Sequence, residues 1–146
     1  MRDLPRQLSR EELSELFEGD TALVRRLAGT DDPLGQARRI ARGLTSDEKL
    51  EALNAHPAIG QRAGLSARSA AEQGADADPE VLDELARLNR EYEAQNGFRF
   101  VVFVNRRPKA EILEVLRERI RRSREDELDT AVEELVAIAE DRWRNS

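Results

Sequence analysis

The sequence predicts an all-α fold: a single-domain bundle of seven or eight helices, with one short extended segment near residues 98–104. Three observations carry that expectation. Leucine, isoleucine, valine and alanine recur at three- and four-residue spacing through most of the chain, the period of a helix that buries one face. Each periodic stretch opens on a helix-start signal, and several close on glycine. A single stretch, FRFVVFV from Phe98 to Val104, is aromatic and β-branched, and no second convincing strand exists to pair with it. At 146 residues the chain is one domain by length, spanning 1–146, and large enough to bury about two-thirds of its unfolded surface.

The elements follow in order. Ser9 and Glu12 have capping-box spacing, with Leu8 and Leu13 placed as a hydrophobic staple, so a first helix runs from about Arg10 to Glu18. Gly19-Asp20 leads into a second helix, TALVRRLA, closed by Gly29. Asp32-Pro33 opens a third, lined by Leu34, Ala37, Ile40 and Ala41 and stopped at Gly43. Thr45 and Glu48 repeat the capping-box spacing, and their helix carries Leu50 and Leu53 up to His56. Asp78-Pro79 is an N-cap with proline at the first helical position. Val81, Leu82, Leu85, Leu88 and Tyr92 then share a face as far as Gly97. After the extended segment, Pro108 starts a helix with Ile112, Leu113, Leu116 and Ile120 inward. Ser123 and Asp126 cap the last helix, which buries Leu128, Val132, Leu135, Val136, Ile138 and Ala139 and ends near Trp143.

Composition excludes several function classes. Cysteine is absent, which removes disulfides, thiolate ligands and cysteine nucleophiles. With one histidine, a transition-metal site would need carboxylates for nearly all its ligands, so no metal is expected. The net charge of −6 argues against nucleic acid as a partner. No run approaches a membrane span, and the amino-terminal residues lack the apolar core of a signal peptide, so the expected setting is the cytoplasm. Of the 24 basic residues only Lys49 and Lys109 are lysine, a bias that suits ion pairs or anion recognition but also follows from genome composition. The basic run Arg117 to Arg124 is flanked by Glu111, Glu114, Glu125, Asp126 and Glu127 and reads as a solvated helix face.

The chemistry concentrates between Asn54 and Asp78, a polar stretch carrying little apolar material for its length. His56 stands at a helix-to-loop transition, and Pro57 disfavours helical geometry at His56 itself, restricting where the imidazole points. Histidine is the side chain that exchanges protons easily near neutral pH, although a lone histidine is more often structural or exposed. Ser69 and Glu72 form a capping box on their face. Ser66 is an equally good cap one turn earlier, however, and Gln73-Gly74 ends the segment almost at once. A loop that folds back would bring Glu72 near His56, where the carboxylate would raise the histidine's pKa and orient the ring. The backbone groups of the partnerless extended segment must find partners elsewhere, a bound ligand among the possibilities.

An ordered set of motifs extends this reading. AHPAIG, S-x-x-EQ, LNREYEAQNGF, FRFVVFVNRRPKAEIL and ELDTAVEELVAIAEDR together resemble the 2-oxo-4-hydroxy-4-carboxy-5-ureidoimidazoline (OHCU) decarboxylases of urate degradation. LFEGDTALVRRLA is similar to that family's amino-terminal region, so the resemblance covers nearly the whole chain. It implies an all-α homodimer with no metal or organic cofactor that converts OHCU to (S)-allantoin and carbon dioxide. It implies that His56 and Glu72 are catalytic and that Pro57 lines the pocket, with Ser69 and Gln73 binding substrate. The main chain of Phe100, Val101, Val102, Phe103 and Val104 would contact the substrate's ureido or ring groups, and Arg142 would help bind its anionic charge. Two other readings stay open: a non-catalytic helical interaction domain of the same fold, and a decarboxylase of a related ureido acid.

Overall fold

A computed structural model describes residues 4–55 and 78–145. Among these residues the chain forms seven helices and no strand. They are α1 (Arg10–Phe17), α2 (Ala22–Ala28), α3 (Pro33–Arg42), α4 (Ser46–Ala55), α5 (Pro79–Asn96), α6 (Lys109–Arg119) and α7 (Arg124–Arg144).

The local signals place the helix starts. In α1 the Ser9 hydroxyl accepts from the Glu12 amide at 3.1 Å while the Glu12 carboxylate accepts from the Ser9 amide at 3.0 Å. Leu8 and Leu13 are both buried beside this box. Thr45 and Glu48 make the same reciprocal pair ahead of α4, at 2.9 and 3.2 Å. The Glu48 carboxyl lies below its usual range chiefly because the Thr45 backbone amide donates to it. Asp78 accepts from the Glu80 amide at 2.9 Å before Pro79, and Ser123 accepts from the Asp126 amide at 3.1 Å. Gly97 takes φ +78 at the end of α5, a conformation glycine adopts without strain.

Helix α2 departs slightly from expectation. Thr21 is its N-cap, and a carboxylate from another helix finishes the job: Glu51 of α4 accepts from the Ala22 amide at 2.8 Å. This non-local contact orders α2 against α4.

Helix α7 is the axis of the molecule. Helices α1, α3, α4 and α5 all pack on it, while α2 is held between α1, α3 and α4, and α6 lies on α5. At 21 residues it is about 31 Å long. Leu128, Ala131, Val132, Leu135, Val136, Ile138 and Ala139 are buried along it. Acidic residues crowd its first turn and Arg142 and Arg144 its last, the arrangement its dipole favours. Ion pairs Arg38–Glu140 and Arg42–Glu133 lace α3 to α7 in antiparallel sense. The apolar interior is one cluster that runs from Leu8 to Ala139 and takes in Phe98, Phe100, Val101, Val102 and Val104. No helix among the described residues is long and apolar enough to cross a membrane.

Candidate active site

The extended segment is where the fold departs from helical economy. Phe98, Phe100, Val101, Val102 and Val104 are buried, and Phe103 is half-buried. With no neighbouring strand among the described residues, side chains take up the main-chain groups. Arg119 of α6 donates to the Val101 carbonyl at 2.6 Å. Arg107 donates to the carbonyls of Phe103 at 2.6 Å and Val104 at 3.1 Å. The Phe103 amide makes a long hydrogen bond, 3.4 Å, to the Glu134 carboxylate of α7.

Behind Val101 lies a buried polar cluster. The Glu127 carboxylate, with no solvent exposure, accepts from Arg119 Nε at 2.8 Å and from the Tyr92 hydroxyl at 2.7 Å on the same oxygen. Its other oxygen faces Arg122 Nη1 at 3.1 Å. The Arg119 guanidinium lies 4.7 Å from the centre of the Phe100 ring. Tyr92 meets Phe98 and Phe100 edge-on at 5.9 and 5.3 Å, so three aromatic rings wall the cluster. Burial, and then the hydrogen bond to Glu127, hold the Tyr92 hydroxyl well above its ordinary pKa.

Arg142 lies at the other end of α7. It is 3% exposed, donates from Nη1 to the Leu16 carbonyl at 2.8 Å, and pairs through Nη2 with Glu18 at 3.1 Å. Glu18 terminates α1 at φ 63, a left-handed conformation uncommon for a residue with a side chain. The next residue, Gly19, sits so close to α4 that a Cβ there would come within 3.1 Å of the Ala55 Cβ. Thus the end of α1, the end of α4 and the last turns of α7 meet at one place, with a guanidinium and a carboxylate between them.

Of the residues singled out from sequence, His56, Pro57, Ser69, Glu72 and Gln73 lie outside the described residues. Ala55, the residue before His56, is packed at Gly19, one residue from the Glu18–Arg142 pair. Phe100, Val101, Val102 and Val104 are buried in a non-helical stretch as expected, and Phe103 among them is half-buried. Phe103 meets α7 at Glu134, whereas Arg142, eight residues further along α7, is directed to α1, a rise of about 12 Å along the axis. Among the described residues, no group of three or more histidine, aspartate or glutamate side chains is placed to hold a metal ion.

Two features differ from the sequence reading. The run Arg117 to Arg124 is not uniformly a solvated face, because Arg119 is buried on Glu127 and Val101. The flanking acidic residues suggested neutralisation at the surface, yet one of them, Glu127, enters the core. Helical register carried the missed signal: Arg119 follows Ile112 and Leu116 at core spacing, and Glu127 precedes Ala131 and Leu135 in the same way. The Glu18–Arg142 pair joins residues too far apart for any local pattern to link them.

Comparison with known proteins agrees with this architecture. A model of the OHCU decarboxylase family matches residues 2–144. The 2-oxo-4-hydroxy-4-carboxy-5-ureidoimidazoline decarboxylase of Haloferax volcanii is 30% identical over 121 residues, covering 80% of this chain and 71% of that protein. The uric acid degradation bifunctional protein of Arabidopsis thaliana is 35% identical over 100 residues, covering 62% of this chain and 31% of its own length. A crystal structure of OHCU decarboxylase in the presence of (S)-allantoin superposes with a TM-score of 0.73 at 26% identity, covering 90% of this chain and 94% of that one. An (S)-allantoin synthase structure shares the fold, with a TM-score of 0.69 at 24% identity over 91% of this chain and 47% of that one. With a family match running almost end to end and the same helical fold beneath it, this chain belongs to the OHCU decarboxylase family.

Proposed function

We propose that this chain decarboxylates OHCU to (S)-allantoin and carbon dioxide in urate degradation, as a carbon–carbon lyase acting without metal or organic cofactor. Residues 1–146 serve as one catalytic domain, in a cytoplasmic homodimer. The observation that carries the reading is the family match over residues 2–144, joined to the likeness with a decarboxylase structure obtained with (S)-allantoin.

The chemistry suits the residues. The bond to the carboxylate carbon breaks, carbon dioxide leaves, and the bonding electron pair passes into the conjugated ring, which needs no external electron sink. The enzyme's work is to hold that bond in line with the ring π system, to offset the developing charge, and to deliver a proton to one face. In this reading His56 engages the departing carboxylate or the adjacent hydroxyl and manages the proton, and Glu72 holds the ring and orients His56. Pro57, Ser69 and Gln73 line the pocket, and the main chain from Phe100 to Val104 meets the ureido or ring groups. Arg142 supplies positive potential in a protein that is acidic overall.

The packing of Ala55 at Gly19 supports this assignment, because it starts the His56 stretch one residue from the carboxylate that pairs with Arg142. OHCU generated freshly from urate with urate oxidase and hydroxyisourate hydrolase provides the test. Added protein should raise the rates of carbon dioxide release and allantoin formation together, one for one. Release at the spontaneous rate contradicts the proposal.

A further inference from the structure

We infer that Arg119 is a positioning residue for the substrate-binding main chain, acting through the Val101 carbonyl. The functional half of this inference rests on the proposed decarboxylase reading; the structural half does not.

The extended segment has no strand among the described residues to set its course, so side-chain clamps do. Arg107 and Glu134 address Phe103 and Val104. Arg119 alone among these clamps is buried, and its 2.6 Å hydrogen bond is at Val101, between Phe100 and Val102. The residue has to be arginine for geometric reasons. One guanidinium donates from Nε to Glu127 and from Nη1 to Val101 while its central carbon sits over the Phe100 ring, and a lysine ammonium cannot do all three. Tyr92 and Glu127 then fix the guanidinium from behind, so α5, α6 and α7 all determine where the Val101 carbonyl sits.

Stability is a poor explanation for this cluster. Buried ion pairs can usually be replaced by apolar residues of similar volume without loss, because desolvation offsets the attraction. This one also leaves Arg119 Nη2 buried with no hydrogen-bond partner among the described residues, and a partly satisfied network is worse than an apolar core. What it provides is a fixed main-chain direction at Val101, ahead of the Arg107 and Glu134 contacts at Phe103 and Val104.

The test compares wild type with Arg119→Lys and Tyr92→Phe in three measurements: thermal unfolding, amide hydrogen exchange across residues 98–104, and separate kcat and KM values for OHCU. Arg119→Lys should remain folded, exchange faster in 98–104 than wild type, and raise KM by about tenfold or more with a smaller change in kcat, as a sub-ångström displacement of binding groups would do. Tyr92→Phe, which keeps the ring and removes one hydrogen bond to Glu127, should shift exchange and KM in the same direction by less. Wild-type exchange and KM in a folded Arg119→Lys protein would overturn the inference. If that variant fails to fold, unchanged exchange and KM in Tyr92→Phe overturn it instead. Faster exchange with unchanged KM refutes the functional half alone. A wild-type protein that does not accelerate OHCU decay refutes the decarboxylase reading, which is a separate result.

Discussion

Tyr92 is the single tyrosine of the chain, and its hydroxyl is committed to a buried carboxylate. Its pKa in the folded state is raised, first by burial and then by Glu127. The sign of the linkage follows. The neutral phenol is favoured in the folded protein, so this stabilising contribution is present in full below about pH 10, the ordinary tyrosine value, and is lost as pH rises beyond it. In an alkaline titration, tyrosinate absorbance should therefore appear together with loss of helical circular dichroism. Tyrosinate forming near pH 10 with the helices intact would show that the hydroxyl is not held as described. At this scale the sequence was informative in an uneven way. His56 stood out because it is the single histidine and a proline follows it. Arg119 and Glu127 did not, because acidic and basic residues alternate so densely around them that only core register distinguishes the buried pair from its solvated neighbours. Arg142 was singled out by resemblance, but its partner Glu18 lies at the far end of the sequence, where no spacing rule reaches.

Helices start where short-range chemistry says they should, since a cap involves residues three apart and needs no tertiary context. The Thr45–Glu48 box is a case in which the cap bears on the site, because α4 runs from it to Ala55. Replacing Thr45 by alanine removes one acceptor from the first turn of α4 and should destabilise the protein by about 1 kcal/mol. Chemical denaturation would measure this, and a change below a few tenths would mean that the cap is immaterial. Other element-level features could not be read locally. Helix α2 is completed by Glu51 from α4, 29 residues away. The extended segment was recognisable from its β-branched and aromatic content, and Arg107 caps its end locally, but its other partners are the side chains of Arg119 and Glu134, which become neighbours only after α6 and α7 have packed. A missing strand partner is visible in a sequence; the side chains that replace it are not.

The whole molecule is arranged around α7, which carries the Glu127 cluster near its start, Glu134 in the middle and Arg142 near its end. One helix thus connects the clamp on the extended segment with the meeting point of α1 and α4, where the His56 stretch begins. Along that helix the fold holds a buried main-chain segment toward one end and a buried arginine toward the other, and the chain leads to His56 from Ala55, which is packed beside the arginine's partner. The overall class was legible because helical periodicity and caps agree along the chain, and agreement across levels is what specifies a fold. The convergence was not, because it depends on packing between elements distant in sequence, by 126 residues for Arg142 and Leu16. The central claim is that His56 directs a one-handed decarboxylation. Its most direct test follows the circular dichroism of allantoin formed from fresh OHCU by the wild-type protein and by His56→Ala, with the far-ultraviolet spectrum of each protein as a control for folding. The account predicts rapid accumulation of a single enantiomer with wild type, and slow formation of racemic product with a folded His56→Ala. Rapid, one-handed product from His56→Ala would contradict it.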